Sequence, residues 1–223
     1  MNPPEVLQSW LRHVFDHPAV AVKEEKWYWA EGAPEWNGSA EQIVLLITET
    51  FESGGKLLVG FSDAQLDQGF WYLAWGELPH RLLPTLIDPA VPLTARIRAL
   101  KSFVPLFEQV MALRCSPLLG HLGEPVAGFL NDACYMWWDS LRGDFFPHET
   151  ERSEFAAAVV EVIRRQLAIP HDACRESALH GIGHWVHHYP DLAGLVDEFL
   201  STTPALRPEL IAYARRARAG IVL

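Results

Sequence analysis

The side chains most able to do chemistry lie in one histidine-rich segment, residues 174–188, which reads CRESALHGIGHWVHH. On a helix each residue advances about 100° around the axis, so Glu176, His180, His184 and His187 share one face. Two histidines at positions i and i+4 can hold a transition metal ion, and a carboxylate one turn earlier can be a third ligand or a general base. The segment therefore presents a candidate metal site.

A structural role for the same histidines is the favoured alternative. The opposite face of this helix is apolar and typical of a core-facing stripe; it consists of Ala178, Leu179, Ile182, Trp185 and Val186. The HExxH signature is absent, and Gly181 and Gly183 indicate a second helix packed closely against the segment. The histidines are then hydrogen-bonded core residues or part of a contact surface. If a metal binds, the candidates for a ligand from elsewhere are His121, Asp139, Asp144 and His148.

The three cysteines, Cys115, Cys134 and Cys174, are odd in number and form no CxxC pair. Such spacing is typical of reduced thiols and predicts a cytoplasmic protein. Cys174 lies nearer the apolar stripe than the histidine face, so only a histidine from another helix could activate it as a nucleophile. Small buried apolar side chains are the favoured interpretation of all three. The sequence has no GxSxG elbow, phosphate-binding glycine loop or CxxC knuckle.

Tryptophan is abundant, with nine copies, and such side chains serve cores and interfaces. Of the adjacent Trp137 and Trp138, we expect one to point inward and the other sideways or outward, with Asp139 bonded to an indole or paired with Arg142. Aromatic anchors are enriched at protein contacts. The residues that we predict to contact a partner are Trp27, Trp29, Trp71, Trp137, Trp138, His180 and His184.

The elements that must position these residues are predicted to be helices. Ser39–Gln42 and Ser62–Gln65 are capping boxes that open the apolar-periodic stretches 43–51 and 66–75. Residues 79–92 contain four prolines and predict a connector with at most a short helical turn. A further helix is expected at 6–15, and longer ones at 93–113, 124–141, 150–169, 172–188, 191–200 and 208–219. Pro105 should kink or split the helix at 93–113, and no convincing strand is present.

A short sequence that occurs twice in the chain underlies the one resemblance to a known protein family. The words Asn131-Asp-Ala-Cys134 and His171-Asp-Ala-Cys174 lie 40 residues apart, and a period of about 40 is typical of HEAT repeats. The stretch 178–184 also resembles the first helix of a HEAT-like repeat. This resemblance covers residues 93–223 and implies antiparallel helix pairs in a scaffold that binds proteins. We therefore expect one compact all-α domain, 1–223, with an irregular acidic part at 1–92.

The charge and hydropathy of the chain argue against nucleic-acid binding and against a membrane-spanning segment. The net charge of −10 argues against a nucleic-acid partner, and residues 1–91 hold 13 acidic side chains against 5 basic ones. The longest apolar run, 43–47, is far shorter than the about 20 residues that cross a bilayer, and no signal peptide is evident at the first residues.

Two functions remain open at this point. The sequence favours a non-catalytic protein-binding module without a cofactor, for instance an immunity-like protein that neutralises a basic partner such as a toxin. The alternative is a metal-binding protein or metal-dependent hydrolase that holds zinc or another transition metal ion through Glu176, His180, His184 and His187.

Overall fold

The chain is all-α, and its architecture consists of two compact units. The computed structural model describes residues 3–20, 26–74, 82–124, 130–141 and 149–222, with the backbone alone at 3, 4 and 149–151. No strand occurs within these ranges. Unit 1 is Met1–Leu106 and unit 2 is Phe107–Leu223. The boundary therefore falls later in the chain than the predicted change of character after residue 92.

Unit 1 is built around α2, which packs against helices that precede and follow it in the chain. Its helices are α1 Pro3–Phe15, α2 Ala40–Glu52, α3 Gly54–Leu57, α4 Asp63–Ala74, α5 Leu82–Ile87, α6 Leu93–Lys101 and α7 Phe103–Leu106, with a 3-10 turn at Trp27–Trp29. The apolar side chains of α2 at Ile43, Ile47 and Phe51 are buried, as helical spacing of apolar residues requires.

Both predicted capping boxes are confirmed. The Ser39 hydroxyl accepts a hydrogen bond from the Gln42 amide at 3.3 Å, and the Gln42 side chain accepts one from the Ser39 amide at 3.1 Å. Ser62 and Gln65 form the same reciprocal pair at 3.3 and 3.0 Å. Each pair satisfies backbone donors that the first helical turn leaves free, which is why α2 and α4 begin where they do.

The predicted break at Pro105 is also confirmed. Because proline has no N–H, it cannot bond the carbonyl of Lys101, and α6 ends at that residue. The short α7 follows, and then a π-helix at Phe107–Met111 leads into α8, Ala112–Arg114. The proline-rich connector at 79–92 lies partly outside the described residues. Within it, Leu82–Ile87 forms the helical turn α5 despite Pro84.

In unit 2, α11 lies at the centre and contacts α9, α10, α12, α13 and the 3-10 helix Met136–Ser140. The remaining helices of this unit are α9 Leu130–Tyr135, α10 Glu149–Leu167, α11 Asp172–Trp185, α12 Leu192–Thr202 and α13 Pro208–Arg218, with a 3-10 turn at Gly120–Leu122. The HEAT-like pairing of these helices stays a prediction.

Close packing surrounds α11 on more than its apolar stripe. All five residues of the predicted stripe are buried, but Glu176 and His180 are buried too. A Cβ atom at Gly181 would lie 2.7 Å from Cγ of Trp138, and one at Gly183 would lie 2.4 Å from a methyl carbon of Val222. The glycines therefore admit close neighbours, as predicted, although these neighbours are a 3-10 helix and the C-terminal segment.

No helix among the described residues is both long enough and apolar enough to cross a membrane.

Candidate functional site

Three side chains of unit 2 converge on one point. Nε2 of His180 lies 3.2 Å from Oδ2 of Asp139, and Nε2 of His184 lies 2.8 Å from Oδ1 of the same carboxylate. The two Nε2 atoms are 3.0 Å apart. Within the described part of the chain, these are the residues whose histidine, cysteine and carboxylate atoms form a group of three within 4.8 Å of one another.

Two neighbouring elements bring these residues together. His180 and His184 lie one turn apart on α11, so their rings project from the same side of that helix. Asp139 belongs to the 3-10 helix Met136–Ser140, which contacts α11. Gly181 lets the Trp138 ring rest directly on the α11 backbone, and this contact brings the adjacent Asp139 to the two histidines.

The group is largely shielded from solvent but retains an exposed side. The His180 side chain is 1 % exposed, whereas those of His184 and Asp139 are each 17 % exposed. An ion or a small molecule can therefore reach the group from the side of His184 and Asp139. Surroundings of this kind strengthen electrostatic interactions relative to those at an open surface.

Asp139 is ionised in this setting. Burial alone would raise the pKa of Asp139, but hydrogen bonds from His180 and His184 outweigh burial and hold that pKa well below its usual range. The carboxylate therefore supplies a negative charge beside two imidazole nitrogens. A divalent cation would take the place of the ring protons that point at the carboxylate, because metal ligation needs neutral, deprotonated nitrogens.

A pair of tyrosines lies behind His180. The Tyr213 hydroxyl is 2.7 Å from Nδ1 of His180 and donates a hydrogen bond to the Tyr135 hydroxyl at 3.3 Å. Burial raises the pKa of Tyr213 well above its usual value, so the hydroxyl stays protonated. Histidines that bind metals usually donate their second ring N–H to a carboxylate, a backbone carbonyl or a water, which fixes the tautomer and the ring orientation. The Tyr213 hydroxyl is placed to accept that N–H from His180.

The spacing of the three ligand atoms suits a transition metal ion. Ligands about 2.0–2.2 Å from a zinc ion stand roughly 3.3 Å apart in a tetrahedron, and octahedral neighbours stand about 3.0 Å apart. The two Nε2 atoms lie 3.0 Å apart, and each lies 2.8 or 3.2 Å from one oxygen of the Asp139 carboxylate, so these distances differ from the ideal spacings by about half an ångström or less. Two histidines and one carboxylate with open remaining positions form a known arrangement for zinc and non-haem iron.

Of the four ligands predicted in the segment 174–188, the structure brings together only His180 and His184. The Glu176 carboxylate instead accepts hydrogen bonds from the backbone amides of Gly120 at 2.7 Å and His121 at 3.1 Å, and it contacts Nδ1 of His121. It is therefore fully used in anchoring the 3-10 turn. His187 is exposed and packs against Gly220. Neither residue belongs to the three-residue group.

Of the four candidates for a ligand from outside this segment, two lie among the described residues and two do not. Asp139 provides the carboxylate of the three-residue group. His121 belongs with Glu176 and stacks on Tyr213, with ring centroids 4.3 Å apart. Asp144 and His148, like Arg142, lie outside the described residues. Tyr213 was not predicted at all, because a tyrosine 33 positions after His180 carries no recognisable spacing signal.

The aromatic residues predicted to contact a partner divide into two groups. In unit 2, Trp137 and Trp138 are both buried, so neither ring points outward into solvent. Trp138 donates its indole N–H to Gln166 at 3.1 Å, and Trp137 packs edge-on against Phe107. The 3-10 helix that carries them is enclosed by its neighbours, which accounts for the burial of both rings.

In unit 1 the aromatic residues are more accessible. Trp29 exposes 55 % of its surface, while Trp27 and Trp71 are half-buried. The Trp27 ring stacks on His17 at 4.0 Å, and the Lys26 ammonium lies 5.5 Å from the centre of the Trp71 ring. Of these three indoles, that of Trp29 offers the largest free surface to a partner.

Comparisons with known proteins find no family model, no curated protein and no solved structure that matches the chain.

Proposed function

We propose that the protein binds one divalent first-row transition metal ion through Asp139, His180 and His184. The observation that carries this proposal is the convergence of one carboxylate and two imidazole nitrogens. The two Nε2 atoms lie 3.0 Å apart, and each lies 2.8 or 3.2 Å from one of the two carboxylate oxygens. Zinc and ferrous iron are the ions whose coordination best suits this donor set.

The surroundings of the group support the proposal. The carboxylate is ionised, and the second nitrogen of His180 has a hydroxyl partner in Tyr213. Three protein ligands leave at least one coordination position for water or another small molecule. A bound ion would make such a water more acidic, which is the chemistry of a metal-dependent hydrolase. The partial exposure of Asp139 and His184 gives that position access to solvent.

The test is calorimetric titration of the tag-free, chelator-treated protein with Zn²⁺ and, under anaerobic conditions, with Fe²⁺. We expect one ion per chain. Replacement of Asp139, His180 or His184 by alanine should weaken binding by roughly 100-fold or more, since even outer partners of metal ligands account for about 10- to 100-fold.

The matched control is His187→Ala, which removes an exposed histidine that follows His184 within the next helical turn. It should bind the ion as the unaltered protein does. Equal binding by all four variants, or no binding by the unaltered protein, would contradict the proposal. Far-UV circular dichroism of each variant separates the loss of a ligand from the loss of the fold.

A second proposal keeps the protein-binding role predicted from the sequence. We propose that the acidic N-terminal part, with the exposed indole of Trp29, contacts a basic protein. The test measures binding to basic proteins encoded beside the gene, at low and at high salt. Salt-sensitive binding that Trp29→Ala weakens supports this role, and absence of a complex with each of them contradicts it.

A further inference from the structure

The three cysteines of the chain come together in the core of unit 2. Cys115, Cys134 and Cys174 are buried and carry free thiols. Cys134 lies on α9, and its Sγ atom is 3.6 Å from the carbonyl oxygen of Ala173, the residue immediately before Cys174. The Cys134 thiol interacts with the thiols of both other cysteines. Three separate segments of the chain thus bring their thiols together around Cys134.

The repeated Asp-Ala-Cys word builds this arrangement. The residue that precedes Asp-Ala-Cys in each copy forms hydrogen bonds to the backbone of Cys115 or Ser116. Asn131 exchanges two hydrogen bonds with Ser116, at 2.9 and 2.8 Å, and His171 donates from Nε2 to the Cys115 carbonyl at 3.1 Å. The two copies therefore hold the same turn, and the cysteines that end them, Cys134 and Cys174, become neighbours.

Cys174 has the surroundings of a nucleophilic thiolate. It lies in the first turn of α11, where free backbone amides and the helix dipole favour a negative charge. The hydrogen bond from Cys134, together with the nearby His171, lowers the pKa of Cys174 despite its burial. Contacts with the other two thiols raise the pKa of Cys134, which therefore remains a protonated donor.

A cavity lies beside His171, a neighbour of the cysteine group. It has a volume of about 420 Å³, and its lining includes His171, Ile169 and the largely exposed Leu113. His171 thus lines this cavity and also interacts with Cys174. The thiols do not form a compact metal site, since the described residues contain no cysteine in a group of three ligand atoms within 4.8 Å.

We propose that Cys134 and Cys174 form a redox-active dithiol that hydrogen peroxide converts reversibly into a disulfide. In the first step the Cys174 thiolate attacks one peroxide oxygen, the O–O bond breaks, and the hydroxide that leaves takes a proton to become water. In the second step the Cys134 sulfur attacks the sulfenic acid, the S–O bond breaks, and a second water leaves with the Cys134 proton. Two thiols and one peroxide thus give one disulfide and two waters.

The test treats the folded protein, in the presence of a chelator, with hydrogen peroxide in small molar excess. Remaining thiols are then alkylated in denaturant, and the intact mass is measured. We expect the loss of two alkylation sites and of about 2 Da, both restored by dithiothreitol. Peptide mapping should identify a Cys134–Cys174 link. An unchanged count of three alkylated cysteines, or a link that uses Cys115, would overturn the proposal.

Two variants sharpen the result. Cys115→Ser keeps both proposed partners and should form the disulfide as the unaltered chain does, whereas Cys174→Ala should give no Cys134-linked disulfide at comparable peroxide doses. Formation of a Cys115–Cys134 disulfide in Cys174→Ala, at the rate seen in the unaltered chain, would contradict the role given to Cys174. The peptide map of the unaltered chain decides the question if a core substitution prevents folding.

Discussion

Tyr213 controls how His180 presents its lone pair. When Nε2 of His180 binds an ion, the other ring nitrogen must carry the proton, and the Tyr213 hydroxyl 2.7 Å away accepts it as a hydrogen bond. Tyr213 in turn donates a hydrogen bond to Tyr135, so the pair forms a short hydrogen-bonded relay behind the ligand. The residue therefore positions a ligand without touching the ion.

Tyr213→Phe should weaken Zn²⁺ binding by about 10-fold without abolishing it, because the ring remains but the hydrogen-bond partner is lost. Calorimetric titration of chelator-treated protein measures this change. Tyr189→Phe is the control. Tyr189 also follows His180 in the sequence, but it stacks on Trp185 and is not part of the relay. Equal affinities of the two variants would show that Tyr213 does not position His180.

Substitution of Gly181 should disturb the metal site indirectly, through Trp138. A Cβ atom there would lie 2.7 Å from Trp138, whose neighbour in sequence is Asp139. Gly181→Ala should lower the free energy of unfolding by about 1–3 kcal/mol through overpacking and weaken metal binding as Asp139 is pushed away. Urea unfolding and metal titration measure the two effects.

Gly194→Ala is the matched control for that substitution. A Cβ atom at Gly194 in α12 meets nothing within 4 Å, so this change should be neutral or stabilise the helix by up to about 1 kcal/mol. If both variants are equally stable, Trp138 does not press on α11 as closely as described.

Helical spacing predicted two residues of the site, but it also pointed to residues that do not belong to it. The i, i+4 spacing correctly paired His180 with His184, since one helical turn separates them. The same spacing also pointed to Glu176, but two backbone amides at Gly120 and His121 capture its carboxylate. Asp139 is 41 positions from His180, and no local pattern reveals that a 3-10 helix carries it to α11.

At the scale of elements, helix α2 owes its start to a reciprocal cap. Ser39→Ala removes the hydroxyl that accepts the Gln42 amide and should lower the free energy of unfolding by about 1 kcal/mol. Ser53→Ala is the control, because the Ser53 side chain makes no capping hydrogen bond to the helix that follows it. Urea unfolding followed by circular dichroism compares the two variants, and an equal loss in both would contradict the role of the cap.

Most helices could be predicted because their signals are local. The capping serines, the break at Pro105 and the apolar spacing of α11 each involve residues within a few turns of one another. The enclosure of Trp137 and Trp138 could not be read in this way, because it depends on segments as distant as Phe107 and Gln166.

At the scale of the whole molecule, we expect acidic pH to lower the free energy of unfolding through the protonation of His13 in unit 1. Burial, with a contribution from nearby His17, lowers the pKa of His13 from 6.5 to about 4. Below pH 6.5 the unfolded chain binds a proton that the folded chain does not. The free energy of unfolding should therefore fall as the pH decreases from 6.5 towards about 4, with no contribution from His13 above that range.

Urea unfolding at a series of pH values across that range measures the effect. The variant His13→Gln can keep a hydrogen bond to the Tyr72 hydroxyl, which is 2.8 Å from Nε2 of His13, but it does not titrate. Its stability should depend less steeply on pH. The same slope in both proteins would assign the acid sensitivity to other groups.

The placement of the metal ion can be observed directly. Crystals of the tag-free protein grown with Zn²⁺, and measured at the zinc absorption edge, should show one anomalous peak about 2.0–2.2 Å from the Asp139 carboxylate and from Nε2 of His180 and His184. A peak confined to exposed histidines such as His187, or no peak in unit 2, would contradict the proposed metal site.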